Sequence, residues 1–255
     1  YIVFCGVHFM AESADILTSD EQTVILPNMR AGCSMADMAN LEDVTKCWND
    51  ILENSELMDP INRENPDLPC PENENYLIPV TYMNSSAALK SFVGQHGGIV
   101  CTSSNAQGIL NWAFERAGEN VKVLFFPDQH LGRNTGLAMG LTVEQMATWT
   151  PGEELEVQGW KEINNSKMIL WHGFCSVHKR FTVEQIEEFR NENPEGIVIV
   201  HPECPRETVD ASDTNGSTQF IRNFVEQQKS GSAIAIGTEI NMVARLAMEH
   251  PDKKI

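Results

Sequence analysis

The chain has 255 residues, 36 of them Asp or Glu against 18 Lys or Arg, for a formal net charge of −18. That imbalance, with no local Lys/Arg cluster, argues against nucleic acid and anionic membrane surfaces as partners. Hydrophobic residues make up 42% of the chain but come only in strand-length runs, which fits a large buried core and no bilayer span. No charged segment precedes an apolar one at the start, so no signal peptide is legible. Seven cysteines (Cys5, Cys33, Cys47, Cys70, Cys101, Cys175 and Cys204) are scattered without pairing spacings. An odd set without a secretion signal implies a reducing, cytoplasmic setting with free thiols; some could serve a metal, and the alternative for any one is a buried small apolar side chain.

Taken in chain order, short apolar or β-branched runs alternate with helical patterns, the signature of a parallel α/β architecture. Strands are predicted at Ile2–Cys5, Thr23–Leu26, Leu77–Tyr82, Val121–Phe126, Lys167–Trp171, Ile197–Val200 and Ala233–Ile236. The stretch Asn54–Asn75, dense in Pro, Asn, Glu and Asp, reads as a solvated surface insertion. Thr182-Val-Glu-Gln185 is a capping-box pattern that opens a helix over Val183–Asn193. Periodicity predicts further helices over Ser217–Gln228 and Glu239–Glu249. Tyr1–Cys5 is already strand-like without an initiator Met, and Lys253-Lys254-Ile255 reads as the start of another strand. The expectation is a piece of a longer protein, with some ligands outside it.

The residues just past each strand carry the chemistry. After Thr23–Leu26 comes a turn ending in Gly32-Cys33, and after the next strand come Tyr82, Asn84 and Ser85. Ile99-Val100 leads into Cys101-Thr-Ser103-Ser104. Later strands end in Pro127-Asp-Gln-His, in Gly173-Phe-Cys175-Ser-Val-His178, in His201-Pro-Glu203-Cys204 and in Gly237-Thr238-Glu239. Open parallel sheets bind ligands at the carboxyl ends of their strands, so this recurrence predicts an enzyme site shared by several βα units. Ser217 and Thr218 open a helix after Gly216 and offer hydroxyls and free N–H groups to a carboxylate or phosphate, or simply cap the helix. Cys33 and Cys175 each come after a glycine-containing turn, where a helix N-terminus would favour thiolate. His201 and Glu203 flank a proline and could face one pocket; the alternatives are a structural imidazole and a solvated carboxylate.

With these residues lined up, the chain resembles the quinolinate synthase family of NAD biosynthesis. The segments "GVHFMAESADIL", "LPNMRAGCSMAD", "VTYMNSSAALKS", "CTSSNA", "FPDQHLGRNTG", "GFCSVH", "HPECP", "GSTQFI" and "GTEINMVARL" occur in the family's order, from Ile2 to Ile255. The resemblance implies three similar three-layer α/β domains with parallel sheets in pseudo-threefold arrangement, divided here at about residues 1–36, 37–174 and 175–255, the first and last incomplete. It implies a [4Fe–4S] cluster on three cysteines. Two of these map to Cys33 and Cys175, and the third is expected beyond Ile255; the family's N-terminal substrate-binding His and Tyr should precede Tyr1. One iron without a protein ligand would act as a Lewis acid. The implied reaction joins iminoaspartate to dihydroxyacetone phosphate with loss of phosphate and water, a transferase step, with a transient hand-over from L-aspartate oxidase as the implied protein partner. By the same resemblance Glu203, His201, His178 and Tyr82 are the catalytic group, Glu203 serving as general base and His178 facing substrate rather than metal. Asn84, Ser103, Ser217 and Thr218 would bind substrate. Two other readings compete: a zinc hydrolase on His172, Cys175, His178 and His201, and an inactive dicarboxylate-binding relative.

Overall fold

The computed structural model describes residues 1–62, 71, 74–116 and 121–255. Ten of the 22 residues of the predicted insertion (63–70, 72 and 73), Cys70 among them, lie outside the described residues. Three parallel sheets organise the rest. At the start, β1 (Ile2–Val3) pairs with β2 (Val24–Ile25) across the helix α1 (His8–Leu17). A single 3₁₀ turn, Ala36–Met38, leads into α2 (Leu41–Glu53), whose N-cap Asn40 accepts the Asp43 amide at 2.9 Å.

A five-stranded sheet forms the centre. Its elements run β3 (Tyr76–Tyr82), α3 (Ala87–Gln95), β4 (Ile99–Cys101), α4 (Ala106–Glu115), β5 (Val121–Phe126), α5 (Gln129–Ala138), β6 (Met146–Trp149), α6 (Val157–Asn165) and β7 (Met168–Trp171). The spatial order is β4-β3-β5-β7-β6, parallel throughout. Both faces are covered, which is why these strands read as continuous apolar runs rather than as alternation. The period of two still decides which face each residue serves. Ile78, Val80, Val123, Phe125, Met168 and Leu170 pack with Leu110 of α4 and Leu131 of α5. Leu77, Leu124, Phe126, Ile169 and Trp171 pack on the other face with Trp48 and Ile51 of α2, Leu89 of α3 and Ile163 of α6. Each such fully buried aliphatic or aromatic side chain contributes about 1.5–3 kcal/mol.

The third sheet has order β10-β8-β9, made by β8 (Ile197–Val200), β9 (Thr214–Asn215) and β10 (Ile234–Gly237), again parallel. Its helices are α7 (Val183–Glu192), α8 (Arg206–Ala211), α9 (Thr218–Gln227) and α10 (Ile240–Glu249). The capping box expected at Thr182 and Gln185 is present. Ile199, Ile221, Val225, Ile234 and Leu246 fill one side of this sheet, and Ile186, Val198, Val200 and Cys204 the other.

Two departures from the sequence reading stand out. Strands β6 and β9 are additional to those predicted; both are held by backbone pairing to strong apolar neighbours, β7 and β8. The supposed solvated insertion begins inside the fold. Met58 pairs with Tyr76, and Asp59 is buried, its Oδ2 accepting from Trp48 Nε1 at 3.1 Å and lying 2.6 Å from His96 Nδ1. An Asp next to a Pro looks like a turn in sequence, and only the tertiary partners reveal the pair.

Candidate active site

The carboxyl ends of β3, β5, β7, β8 and β10 converge, and the side chains just beyond them meet there. After β7 the chain turns at Gly173, where a Cβ would stand 2.3 Å from the Pro127 carbonyl that follows β5. Only glycine allows that approach, and it lets Gln129 N donate to the Gly173 carbonyl at 2.9 Å. The turn delivers Cys175 and, one 3₁₀ turn on, His178. From β8 come His201 and Glu203, both buried, with Glu203 N donating to His201 Nδ1 at 3.3 Å.

Glu203 sits between two imidazoles. Its Oε2 is 2.9 Å from His178 Nδ1 and its Oε1 is 3.7 Å from His201 Nδ1. The first is a close ion-pair contact whose N–H is not aimed along the N···O line, so His178 Nδ1 has no in-line acceptor. The other His178 nitrogen lies 3.0 Å from Thr238 Oγ1, just past β10. The two rings stack, 4.7 Å between centroids and 27° between planes. Tyr82, buried at the end of β3, presents its hydroxyl to Glu203 and to Ser103.

The electrostatics separate the three groups. Burial alone would raise Glu203, but the contact with His178, the charges of His201 and His178 and the Tyr82 hydroxyl outweigh it and bring the carboxyl down to about 2. Burial opposes charge on His178 too, yet Cys175 and Glu203 raise it to about 10. Burial dominates at His201, which falls to about 4. At neutral pH the cluster is therefore carboxylate, imidazolium and neutral imidazole side by side, three groups whose surroundings push their pKa values apart. Burial and the neighbouring Glu203 charge push Tyr82 well up, so the phenol keeps its proton.

Cys33 and Cys175, half-buried and distant in sequence, pack against the same apolar cluster. Their next neighbours touch: Ser34 Oγ is 3.1 Å from Ser176 Oγ. Burial raises the Cys33 thiol, while the backbone amides of Ala36 and Met35 point at the sulfur and lower it; the Cys175 charge raises it again. Two thiols, one of them with amide donors beside it, fit the donor set of an iron–sulfur or other soft-metal centre. Ligand atoms of Cys175, His178 and Glu203 also lie within 4.8 Å of one another. His172 is not in that group. It is exposed, with Nδ1 3.4 Å from Thr150 Oγ1, so the four-ligand zinc set is not brought together. Cys5 is exposed, and Cys47 is buried in α2 on the opposite face of the central sheet.

The remaining sequence-derived residues are placed less closely. Asn84 is half-buried just past β3. Ser217 is the N-cap of α9, its hydroxyl accepting the Phe220 amide at 3.3 Å, and the preceding Gly216 N donates to the Val200 carbonyl at the end of β8 at 3.1 Å. Thr218 is exposed and lines a groove of about 330 Å³ between α9 and α10. One residue that the sequence reading places past a strand without a role proves to belong to the site. Asp128, fully buried, caps α5 by accepting Leu131 N at 2.8 Å, and its Oδ2 has no partner among the described residues. Burial, with the Glu203 charge added, raises its carboxyl well above the usual range. The "PDQ" stretch carries the signal, since an acid directly after an apolar strand at a sheet switch is seldom idle.

A parallel α/β fold whose strand ends gather an acid–base triad beside two thiols defines a class of enzyme-like site with a soft-metal donor set. The family comparison is specific: a sequence model described as "Quinolinate synthetase A protein" matches residues 1–255, and the chain belongs to that family. It is 57% identical over 254 residues to a quinolinate synthase of Corynebacterium glutamicum, covering 100% of this chain and 59% of that protein. It is 50% identical over 255 residues to one from Geobacillus kaustophilus and 48% to one from Bacillus subtilis, covering all of this chain and 64% and 63% of those proteins. The chain thus spans 59–64% of the length of these relatives.

Proposed function

We propose that the full-length protein to which this chain belongs is a quinolinate synthase of NAD biosynthesis, a transferase that condenses iminoaspartate with dihydroxyacetone phosphate and releases phosphate and water. The observation that carries this reading is Glu203, buried and ionised between two imidazoles, within reach of Cys175. Cys33 and Cys175, with a third cysteine beyond Ile255, would hold a [4Fe–4S] cluster. When bound, that cluster supplies a Lewis acid at its iron without a protein ligand. The chain's own residues do the proton work. Glu203 takes a proton from substrate, and His178, 2.9 Å from it, gives one to a departing oxygen. Neutral His201 stacks on His178 and accepts the Glu203 backbone N–H. Tyr82 and Asn84 orient substrate oxygens, while Ser217 and Thr218 hold carboxylate or phosphate groups; Ser103, a third anchor on the sequence reading, lies against the Tyr82 hydroxyl.

The division at residues 36 and 174 into three similar domains belongs to the same proposal; each of the three sheets falls within one of these spans. A cytoplasmic location and a hand-over of the unstable imine from L-aspartate oxidase are part of it. No helix among the described residues is long and apolar enough to cross a membrane. The test is the full-length protein prepared anaerobically. It should be brown and make quinolinate, and Cys33→Ser or Cys175→Ser should each lose iron and activity. Cys47→Ser should keep parental iron content, because Cys47 lies across the central sheet. Loss of iron in Cys47→Ser, or zinc in place of iron in the parent, would overturn the ligand assignment.

A further inference from the structure

Glu203 is the residue on which the proposed chemistry turns, yet its own side-chain contacts do not fix where its backbone sits. That task falls to a residue on a helix of the central sheet's layer. Asn134, buried in the middle of α5, sends its single amide nitrogen to two main-chain carbonyls: Pro202 O at 2.8 Å and Cys204 O at 2.9 Å. These are the carbonyls that flank Glu203, 68 and 70 residues away in sequence. A primary amide has two N–H groups, and both are used. The local turn does the rest, with Cys204 N donating to His201 O at 3.0 Å.

We infer that Asn134 is the positioning residue for Glu203: its NH₂ group clamps the peptide units on either side and so sets the carboxylate between His178 and His201. The inference rests on the reading of Glu203 as the base. No other side chain does the same job at this position. Asp is isosteric but presents acceptors to two carbonyls. Ser has one donor on a shorter stem, and Leu has none and leaves both buried carbonyls unpaired. The clamp also ties α5 of the central sheet to the loop after β8 of the third sheet, so it sets how the thiol-bearing and acid–base halves of the site meet. Misplacement of a reacting group by about 1 Å can cost on the order of 10²-fold in rate.

The experiment uses the full-length holoenzyme with Asn134→Asp and Asn134→Ser, each alone and combined with Glu203→Gln. Turnover and KM are measured anaerobically, and amide hydrogen exchange is followed over residues 201–205. Asn134→Asp should lower kcat at least about tenfold with KM nearly unchanged, because geometry rather than binding is lost. Exchange at 202–204 should speed up, and Asn134→Ser should fall between Asp and parent. In the Glu203→Gln background the Asn134→Asp loss should nearly vanish, since two residues acting through one group are not additive. A helix-stabilising role alone would carry the full loss into that background, and this result would overturn the inference. Parental turnover in Glu203→Gln sinks the base assignment itself. A slow Glu203→Gln beside a parental Asn134→Asp sinks only the clamp. Should Asn134→Asp fail to fold, Asn134→Ser is judged by the same double-variant comparison and exchange readout.

Discussion

Among the described residues two buried carboxylates, Asp59 and Glu203, face imidazoles, and their surroundings are built almost alike. Asp59 faces His96 at 2.6 Å and takes an aromatic donor, Trp48 Nε1, at 3.1 Å. Glu203 faces His178 at 2.9 Å and is approached by the Tyr82 hydroxyl. The difference lies in closure. Asp59 is saturated: its second oxygen accepts the Ile61 amide at 2.9 Å, and His96 is wedged against Phe92 and Trp48 at 4.2 and 5.0 Å between centroids. It lies by the amino-terminal half of β3, next to the Met58–Tyr76 bridge. Glu203 lies past the carboxyl end of β8, its contacts are longer, its His178 partner is out of line, and a thiol adjoins it. A carboxylate–imidazole pair is structural when both of its oxygens accept from well-aligned donors. It becomes available for chemistry when the same groups are held near each other but left unsaturated.

The largest expected effect breaks the comparison on the reactive side. Glu203→Gln in the full-length protein keeps size and hydrogen bonding but cannot accept a proton. A positioned base is typically worth about 10²–10⁴-fold, so turnover should fall at least a hundredfold with the cluster and substrate binding intact. The matching change, Asp59→Asn, should leave turnover per folded molecule unaltered. Equal losses in the two variants would mean that the distinction between a closed and an open pair is wrong.

Asp59→Asn should instead act on stability. The amide leaves one donor, from His96 or Trp48, facing a group that no longer accepts, at a cost of about 1–3 kcal/mol. The sign of the pH dependence comes from the same contacts. Burial raises Asp59, but the contacts from His96, the Ile61 amide and Trp48 outweigh it, and its folded value is lowered. Its stabilisation is therefore complete above the unfolded aspartate pKa of about 3.9 and is lost as pH falls through the lower folded value. Denaturant midpoints measured from pH 6 downward should fall more steeply in the parent than in Asp59→Asn below about pH 4. Parallel curves would show that the pair contributes nothing in the charged form.

What the residues reveal in advance is uneven, and the unevenness is physical. The apolar strands β3, β5, β7 and β8 are legible because burial on both faces leaves runs such as Val121–Phe126 and Ile197–Val200 with few other uses. β9 is two polar residues, Thr214-Asn215, held as a strand only by pairing with Ile199 and Val200. His178, His201 and Glu203 are visible because each comes after a strand. Asp59 and Asn134 are not. The one looks like loop punctuation and the other like any helix residue, and each draws its meaning from a partner well removed along the chain, 37 residues away for Asp59 and 68 or more for Asn134. Spacing within a segment encodes local structure; contacts between segments have to be seen.

The smallest effect sharpens the comparison at its outer rim. On the structural side the network ends at the Trp48 indole, which has one donor and no acceptor to pass on. On the reactive side the Tyr82 phenol meets a further hydroxyl, Ser103. The sequence marks Ser103 as an anchor for a substrate carboxylate or phosphate, and its contact with Tyr82 offers it a second task, orienting the phenol toward Glu203. Ser103→Ala separates the two. Losing a neutral hydroxyl contact costs about 0.5–1.5 kcal/mol, or roughly two- to tenfold. If Ser103 serves as an anchor, that loss falls on KM with kcat preserved; if it orients Tyr82, it falls on kcat with KM preserved. Tyr82→Phe supplies the control, because with the phenol oxygen already gone an orienting Ser103 has nothing left to orient. We expect the kcat form, with Ser103→Ala nearly silent in the Tyr82→Phe background. A KM effect that persists undiminished in that background would return Ser103 to the anchoring role and cut the reactive network back to the same length as the structural one.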